Sequence, residues 1–98
     1  MNVIDPGHEY QVNSIGDEPD QIISFLKRVN GELIHDGTTN EEIIKVLIDR
    51  MNYLQNQVPC VENEIAITGL TIALNSLESR TTKRVAQGIM SKDISHVS

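Results

Sequence analysis

From Thr38 onward apolar residues recur at helical spacing, and a single proline, Pro59, interrupts the pattern. Proline lacks the amide hydrogen that a helix interior needs, and its ring clashes with the preceding turn. The segment must therefore form two helices, and so short a connection makes them antiparallel neighbours. Thr39 followed by Glu42 is a capping-box pattern, and Glu41 and Glu42 also suit the positive end of a helix dipole. Ile43, Leu47, Met51 and Leu54 form the first apolar stripe, widened by Ile44 and Ile48. The first helix is expected over about Asn40 to Gln57. The second is expected from about Val61 to Gln87, stopped by Gly88. Its apolar face is Ala66, Leu70, Ala73, Leu74 and Leu77, with Ile65, Ile67 and Ile72 beside it. Residues 88–98 carry little periodicity and read as a loose tail.

The first third of the chain has a different period. Residues 8–14 alternate polar and apolar positions, as a half-buried strand does. Gly16 to Asp20, with Pro19 among acids, reads as a loop, and Gln21 to Val29 as a second strand. Asn30-Gly31 is the dipeptide favoured in a type I′ turn, because both residues tolerate positive φ, and Glu32 to His35 would be the returning strand. The expected fold is α+β. A small N-terminal antiparallel sheet of two or three strands over residues 8–35 precedes a long antiparallel helical hairpin over 40–87, and 1–98 forms one domain.

Composition narrows the function. The chain has 98 residues, and 39% of them are hydrophobic. Aromatics are only Tyr10, Phe25 and Tyr53, so aliphatic side chains must supply the packing. A domain this small buries a modest share of its surface, which favours association. One cysteine, Cys60, excludes an intrachain disulfide and suits a reducing cytoplasm. No apolar run is long enough to span a membrane, and no signal-peptide pattern opens the chain. The net charge of −6 argues against binding duplex DNA or RNA, which requires neutralising phosphates. That charge is uneven: residues 1–42 hold nine acids and two bases, whereas 79–98 hold one acid and four bases. Arg80, Lys83, Arg84 and Lys92 could hold a small anion locally. From composition alone, bases near a helix C-terminus answering the dipole is the favoured account.

Standard reactive constellations are missing from the sequence. His8, His35 and His96 are scattered and lack metal-ligand spacing. Cys60 has no neighbouring histidine and reads as a small hydrophobe. The glycines form no phosphate-cradling motif. Glu62, Glu64 and Glu78 could be a carboxylate set, although acids at helix starts have a dipole reason to be there. The chain is not expected to be an enzyme, and no cofactor or metal is expected.

Tyr53, Asn63, Arg80 and Arg84 remain. The two arginines lie four residues apart, so they share a helix face and can converge on one anion. Asn63 precedes Arg80 by seventeen residues, about 26 Å along a helix, so one small ligand cannot reach both within a chain. Two chains could bring them together if their second helices paired antiparallel about an axis near residues 71–72. Ala66, Gly69 and Ala73 allow close approach there, although Gly69 could equally make room for the first helix or sheet of its own chain. Tyr53 and Asn63 flank the hairpin turn symmetrically, so Tyr53 should lie beside Asn63, opposite the partner's arginines. Such a site offers an aromatic face, an amide and two guanidinium groups, the elements of a nucleotide pocket. Ordinary packing of Tyr53 with its hydroxyl at the surface is equally open.

The segment Asp36-Gly37-Thr38-Thr39-Asn40-Glu41-Glu42 through Leu47-Ile48-Asp49-Arg50 resembles phage-encoded anti-Thoeris sponge proteins. So do Pro59-Cys60-Val61-Glu62-Asn63 with Ala66-Ile67, and Leu77-Glu78-Ser79-Arg80-Thr81-Thr82-Lys83-Arg84 ending in Gly88. The order and spacing of these segments, over roughly residues 8–90, carry the resemblance. It implies a protein of the infected host's cytoplasm that sequesters glyco-cyclic ADP-ribose immune signals without cleaving them. It also implies an aromatic at Tyr53, an asparagine at Asn63 and arginines at Arg80 and Arg84 as ligand-binding residues. Hexameric assembly, and cyclic di- or trinucleotides bound at separate sites, are further family features, and a related phage family sequesters the cyclic oligonucleotides of another defence. The chain departs from the pattern at Leu74-Asn75-Ser76, where a Met-Trp pair is common. It departs again after Gly88, where Ile89-Met90-Ser91-Lys92 replaces an acidic-glycine continuation. The alternative reading is a structural or protein-binding α-helical dimer with no nucleotide ligand.

Overall fold

The computed structural model describes residues 1–91, with side chains to residue 86. These residues form β1 (Asn2–Asp5), β2 (Glu9–Val12), β3 (Gln21–Ser24), β4 (Lys27–Val29), β5 (Glu32–His35), α1 (Asn40–Gln57) and α2 (Val61–Ser91). The class is α+β, with antiparallel strands followed by a helical hairpin. The strands and the hairpin are two compact units that meet in sequence between Thr39 and Asn40.

The strand unit holds two small sheets, one of three strands in the order β1-β2-β3 and one of β4 and β5. β1 lies ahead of the strands expected over 8–35. It is joined to β2 by a turn in which Pro6 precedes Gly7 at φ 80° and the His8 amide donates to the Asp5 carbonyl at 2.9 Å. Proline followed by a positive-φ glycine is a type II turn signature, and it was legible in the sequence. The strand expected over 8–14 is trimmed to Glu9–Val12. Asp20 pulls the chain away after it, accepting from the Ser14 amide and from Gln11 Nε2, both at 2.9 Å.

The single strand expected over Gln21–Val29 is two strands. Its middle is claimed by other partners: the Phe25 amide donates to the His8 carbonyl at 2.7 Å and the Leu26 amide to the Thr38 carbonyl at 3.0 Å. The Thr38 amide returns a bond to the Ser24 carbonyl at 2.8 Å, which closes a parallel bridge between Phe25 and Thr38. The chain thus passes from one sheet to the other at Phe25. Tyr10 packs edge-on against the Phe25 ring, with centroids 6.0 Å apart. Lys27 Nζ lies 3.3 Å from Asp5 Oδ2 and ties β4 to β1. Gly37 makes the crossing possible, because a Cβ there would sit 2.7 Å from the Phe25 carbonyl carbon and 2.8 Å from the Leu26 nitrogen. Asn30 and Gly31 have φ of 51° and 82°, the turn their dipeptide foretold.

In the hairpin, α1 has the expected bounds. Ile43, Ile44, Ile48, Met51 and Leu54 are half-buried, facing the half-buried Ala66, Ile67, Leu70, Ala73, Leu74 and Leu77 of α2. Leu47, Ile65 and Ile72 fall outside this seam and are exposed. Two helices cover only one narrow stripe of each other, so residues expected at its margin stay wet. No apolar side chain among the described residues is fully buried. Gly88 does not stop α2, which continues to Ser91. A lone glycine in a helix costs only about 1 kcal/mol, and no proline follows to end the helix. The rest of the expected tail, 92–98, lies outside the described residues. No described helix is long and apolar enough to cross a membrane.

The Gly37 crossing generates a test. Gly37→Ala forces backbone at Ser24–Leu26 to shift and should destabilise the strand unit by about 1–3 kcal/mol, the usual scale of overpacking. Chemical denaturation should show an earlier transition for the strands while the helical circular dichroism of the hairpin stays unchanged.

Candidate functional site

The hairpin's turn is held by one side chain. Gln55 Oε1 accepts from the Cys60 amide at 3.1 Å, and Gln55 Nε2 donates to Glu64 Oε1 at 3.4 Å. Residues two positions before Gln55 and one before Glu64 are Tyr53 and Asn63, so both sit at the closed end of the hairpin. Tyr53 is 57% exposed on α1, and Asn63 is half-buried on α2. At the open end, Glu41 in the first turn of α1 shares a cavity with Glu78, Thr81 and Thr82 of α2. Arg80 and Arg84 belong to this end, half-buried and one turn apart.

The structure therefore brings Tyr53 and Asn63 to one end and the two arginines to the other. Because α2 is one continuous helix of 31 residues, the separation of Asn63 from Arg80 is about 26 Å along its axis. Asn63, Leu70, Leu77 and Arg84 recur every seven residues, so Asn63 and Arg84 stand on the same stripe that forms the seam. Gly69 lies within one helical turn of the midpoint between Asn63 and Arg80. A Cβ there would meet nothing within 4 Å, so Gly69 makes no room for α1. Ile65 and Ile72, flanking it on the outer face, are 66% and 61% exposed.

Beside Arg80 the outer face of α2 carries an open concavity of about 490 Å³, lined by Asn75, Ser76, Ser79, Arg80 and Lys83. Of this lining, Arg80 and Lys83 are residues whose charge suggests a small anion from the sequence, whereas Ser79, directly before Arg80, carries no such signal. The strand unit has its own smaller cavity of about 150 Å³, where His8 and His35 meet Asp5, Glu9 and Asp36. Among the described residues, no three His, Cys, Asp or Glu side chains are placed to hold a metal ion. Cys60 is exposed at the turn rather than packed as a small hydrophobe.

A small antiparallel strand unit followed by a two-helix hairpin, with cations at one end of the long helix and an amide and an aromatic at the other, defines the class as a hairpin-domain protein. The chain belongs to the family described as the Acb2/Tad1 hairpin domain, whose model matches residues 8–82. Arg80 lies inside that match and Arg84 just beyond it. The chain is similar to "Thoeris anti-defense 1" of Bacillus phage SBSphiJ7, 42% identical over 55 residues. That alignment covers 55% of this chain and 39% of the relative, well under half the relative's length. No solved structure matches significantly.

The Gln55 clasp should matter for the closed end. Gln55→Ala removes two hydrogen bonds at the turn and should lower stability by about 1–2 kcal/mol. Thermal unfolding followed by circular dichroism checks it, and Gln55→Glu, which keeps the acceptor for the Cys60 amide but sets a carboxylate against Glu64, should not recover the loss.

Proposed function

We propose that this protein is a phage counter-defence sponge that binds glyco-cyclic ADP-ribose immune signals without cleaving them, and so inhibits bacterial Thoeris defence. Membership of the Acb2/Tad1 hairpin-domain family and the name of the phage relative support the anti-defence role. The observation that carries the site is the unbroken α2, with Asn63 near its start and Arg80 and Arg84 near its end. In the proposed assembly two α2 helices pair antiparallel, with the small Gly69 near the crossing. Tyr53 and Asn63 of one chain then face Arg80 and Arg84 of the other. Tyr53 stacks on a base, Asn63 bonds sugar or base edges, and the guanidinium groups take the phosphates through paired, charge-assisted bonds. No group in this set is a poised general base or a metal-bound water, so the ligand is held rather than turned over. The dimer is the building block of a larger homo-oligomer in the host cytoplasm.

The exposed Ile65, Gly69 and Ile72 face equally suits a structural helical dimer with no nucleotide ligand. Incubating the protein with glyco-cyclic ADP-ribose and then denaturing it separates the readings. Intact ligand released on heating supports the sponge, altered ligand means an enzyme, and no retained ligand leaves the structural dimer.

Arg80→Ala and Arg84→Ala should each weaken binding by about 1.5–3 kcal/mol, the scale of a hydrogen bond to a charged group. Calorimetry on variants of unchanged helicity reads this directly. Mixed dimers test the shared pocket. When Tyr53→Ala chains assemble with Arg84→Ala chains, one pocket carries both changes and the other neither, so about half the sites recover full affinity. A pocket contained in one chain would recover none, and ligand stoichiometry on purified mixed dimers distinguishes the two. Gly69→Ala should raise helix stability by about 1 kcal/mol in an isolated chain yet weaken pairing, seen as a lower mass by light scattering.

A further inference from the structure

The cavity of about 150 Å³ in the strand unit uses none of the residues discussed on α1 and α2. Asp5 ends β1, Glu9 begins β2 and Ser24 ends β3, so one end of the three-stranded sheet supplies two carboxylates and a hydroxyl. The register gathers them, because Asp5 pairs with Glu9 and Glu9 with Ser24. His8 joins from the turn before β2, Phe25 from the crossing between the sheets, and His35 and Asp36 from the end of β5.

Three features of this lining point to a small cation that donates hydrogen bonds. The first is charge. Of the three carboxylates, Asp5 is met by Lys27 Nζ at 3.3 Å, whereas Glu9 and Asp36 have no ion-pair partner among the described residues. The second is an orphaned acceptor: His8 Nδ1 is closed off from solvent and has no hydrogen-bond partner, a costly state for a buried polar atom. The third is size, since the cavity is at most half the volume of pockets that take drug-sized ligands, about 300–1,000 Å³. A metal ion fits poorly, because no three His, Cys, Asp or Glu side chains among the described residues are placed to ligate one. A guanidinium presents a flat fork suited to one carboxylate. An ammonium is a compact donor of three bonds, which suits acceptors arriving from separate segments. Lys27 on Asp5 already seats one ammonium on this carboxylate set.

We propose that this cavity binds a small aliphatic amine as its ammonium ion, held by Glu9, Asp36 and His8. The two carboxylates accept two of the three N–H bonds and His8 Nδ1 accepts the third, which gives the orphaned nitrogen its partner. The Phe25 ring supplies the apolar wall for the short alkyl part. This site is independent of signal binding by the hairpin, and neither reading falls with the other.

Amide NMR titration of the full chain with n-propylammonium chloride tests it, against sodium chloride at matched ionic strength. Shifts should be confined to residues of the cavity and should saturate in about the millimolar range, the scale open to so small a ligand. Glu9→Gln and Asp36→Asn keep the acceptors for the Ser24 hydroxyl and the Gly37 amide while removing the charge, so the strands should stay intact. Each should weaken binding about tenfold, the scale of one charge-assisted hydrogen bond. His8→Ala leaves that residue's backbone bonds to Asp5 and Phe25 in place and should weaken binding several-fold. Lys27→Gln removes the ammonium already on Asp5, adds a third uncompensated carboxylate and should tighten binding. A purely structural role for these carboxylates would not give that result. Tetramethylammonium, with the same charge and no N–H, should leave the amides unmoved. An equal response to both cations, or undiminished binding by the Glu9 and Asp36 variants, overturns the proposal. So does the lack of a saturable shift in the unaltered chain, or a response to zinc or magnesium chloride alone.

Discussion

The structure depends on one seam. Alternate turns of α1 and α2 press Ile43, Ile44, Ile48, Met51 and Leu54 against Ala66, Leu70, Ala73, Leu74 and Leu77. A two-helix seam buries a stripe rather than a volume, which is why no described apolar side chain is fully buried. The same seven-residue recurrence that supplies Leu70 and Leu77 also sets Asn63 and Arg84, polar residues at positions the seam would otherwise fill with leucine. The geometry of the candidate site is therefore inherited from the packing of the hairpin. Shortening or kinking α2 would change both.

Helices were more legible in the sequence than strands, and the reasons are particular. The bounds of α1 followed from Thr39, the glutamates after it and Pro59, each of which acts within a few residues. The end of α2 was misjudged because Gly88 was read as a stop, although a glycine alone only weakens a helix. The break at Phe25 could not be read locally. It depends on His8 and Thr38, which are distant in sequence and compete for the backbone amides that one long strand would have used. By contrast, the end of β1 is marked locally, by Pro6-Gly7 with Gly7 at φ 80°.

The candidate residues were legible as types and spacings, but their meaning needed the unbroken helix. Arg80 and Arg84 share a side of α2 by spacing alone, while the 26 Å that separate Asn63 from Arg80 mean something only because no kink intervenes. Gly69 shows the same division of labour. Its sequence context left two explanations open, and the empty space around it removes the one involving α1. Ser79 is the opposite case: serine on an exposed helix is ordinary, and only the concavity that gathers it with Arg80 and Lys83 sets it apart.

The hairpin's connectivity also bears on time. Its two helices are joined by residues 58–60, so the seam closes by contacts near in sequence, and such topologies fold in microseconds to milliseconds. The strand unit also closes over short separations, its crossing at Phe25 meeting Thr38 thirteen residues on. Neither step approaches the time taken to synthesise 98 residues at roughly 5–20 residues per second. In the assembly proposed above, completing the pocket then waits on encounter with a second copy, a second-order process. The protein's effectiveness early after synthesis begins would rise with the square of its concentration, so a strong promoter is worth more to such a protein than a faster fold.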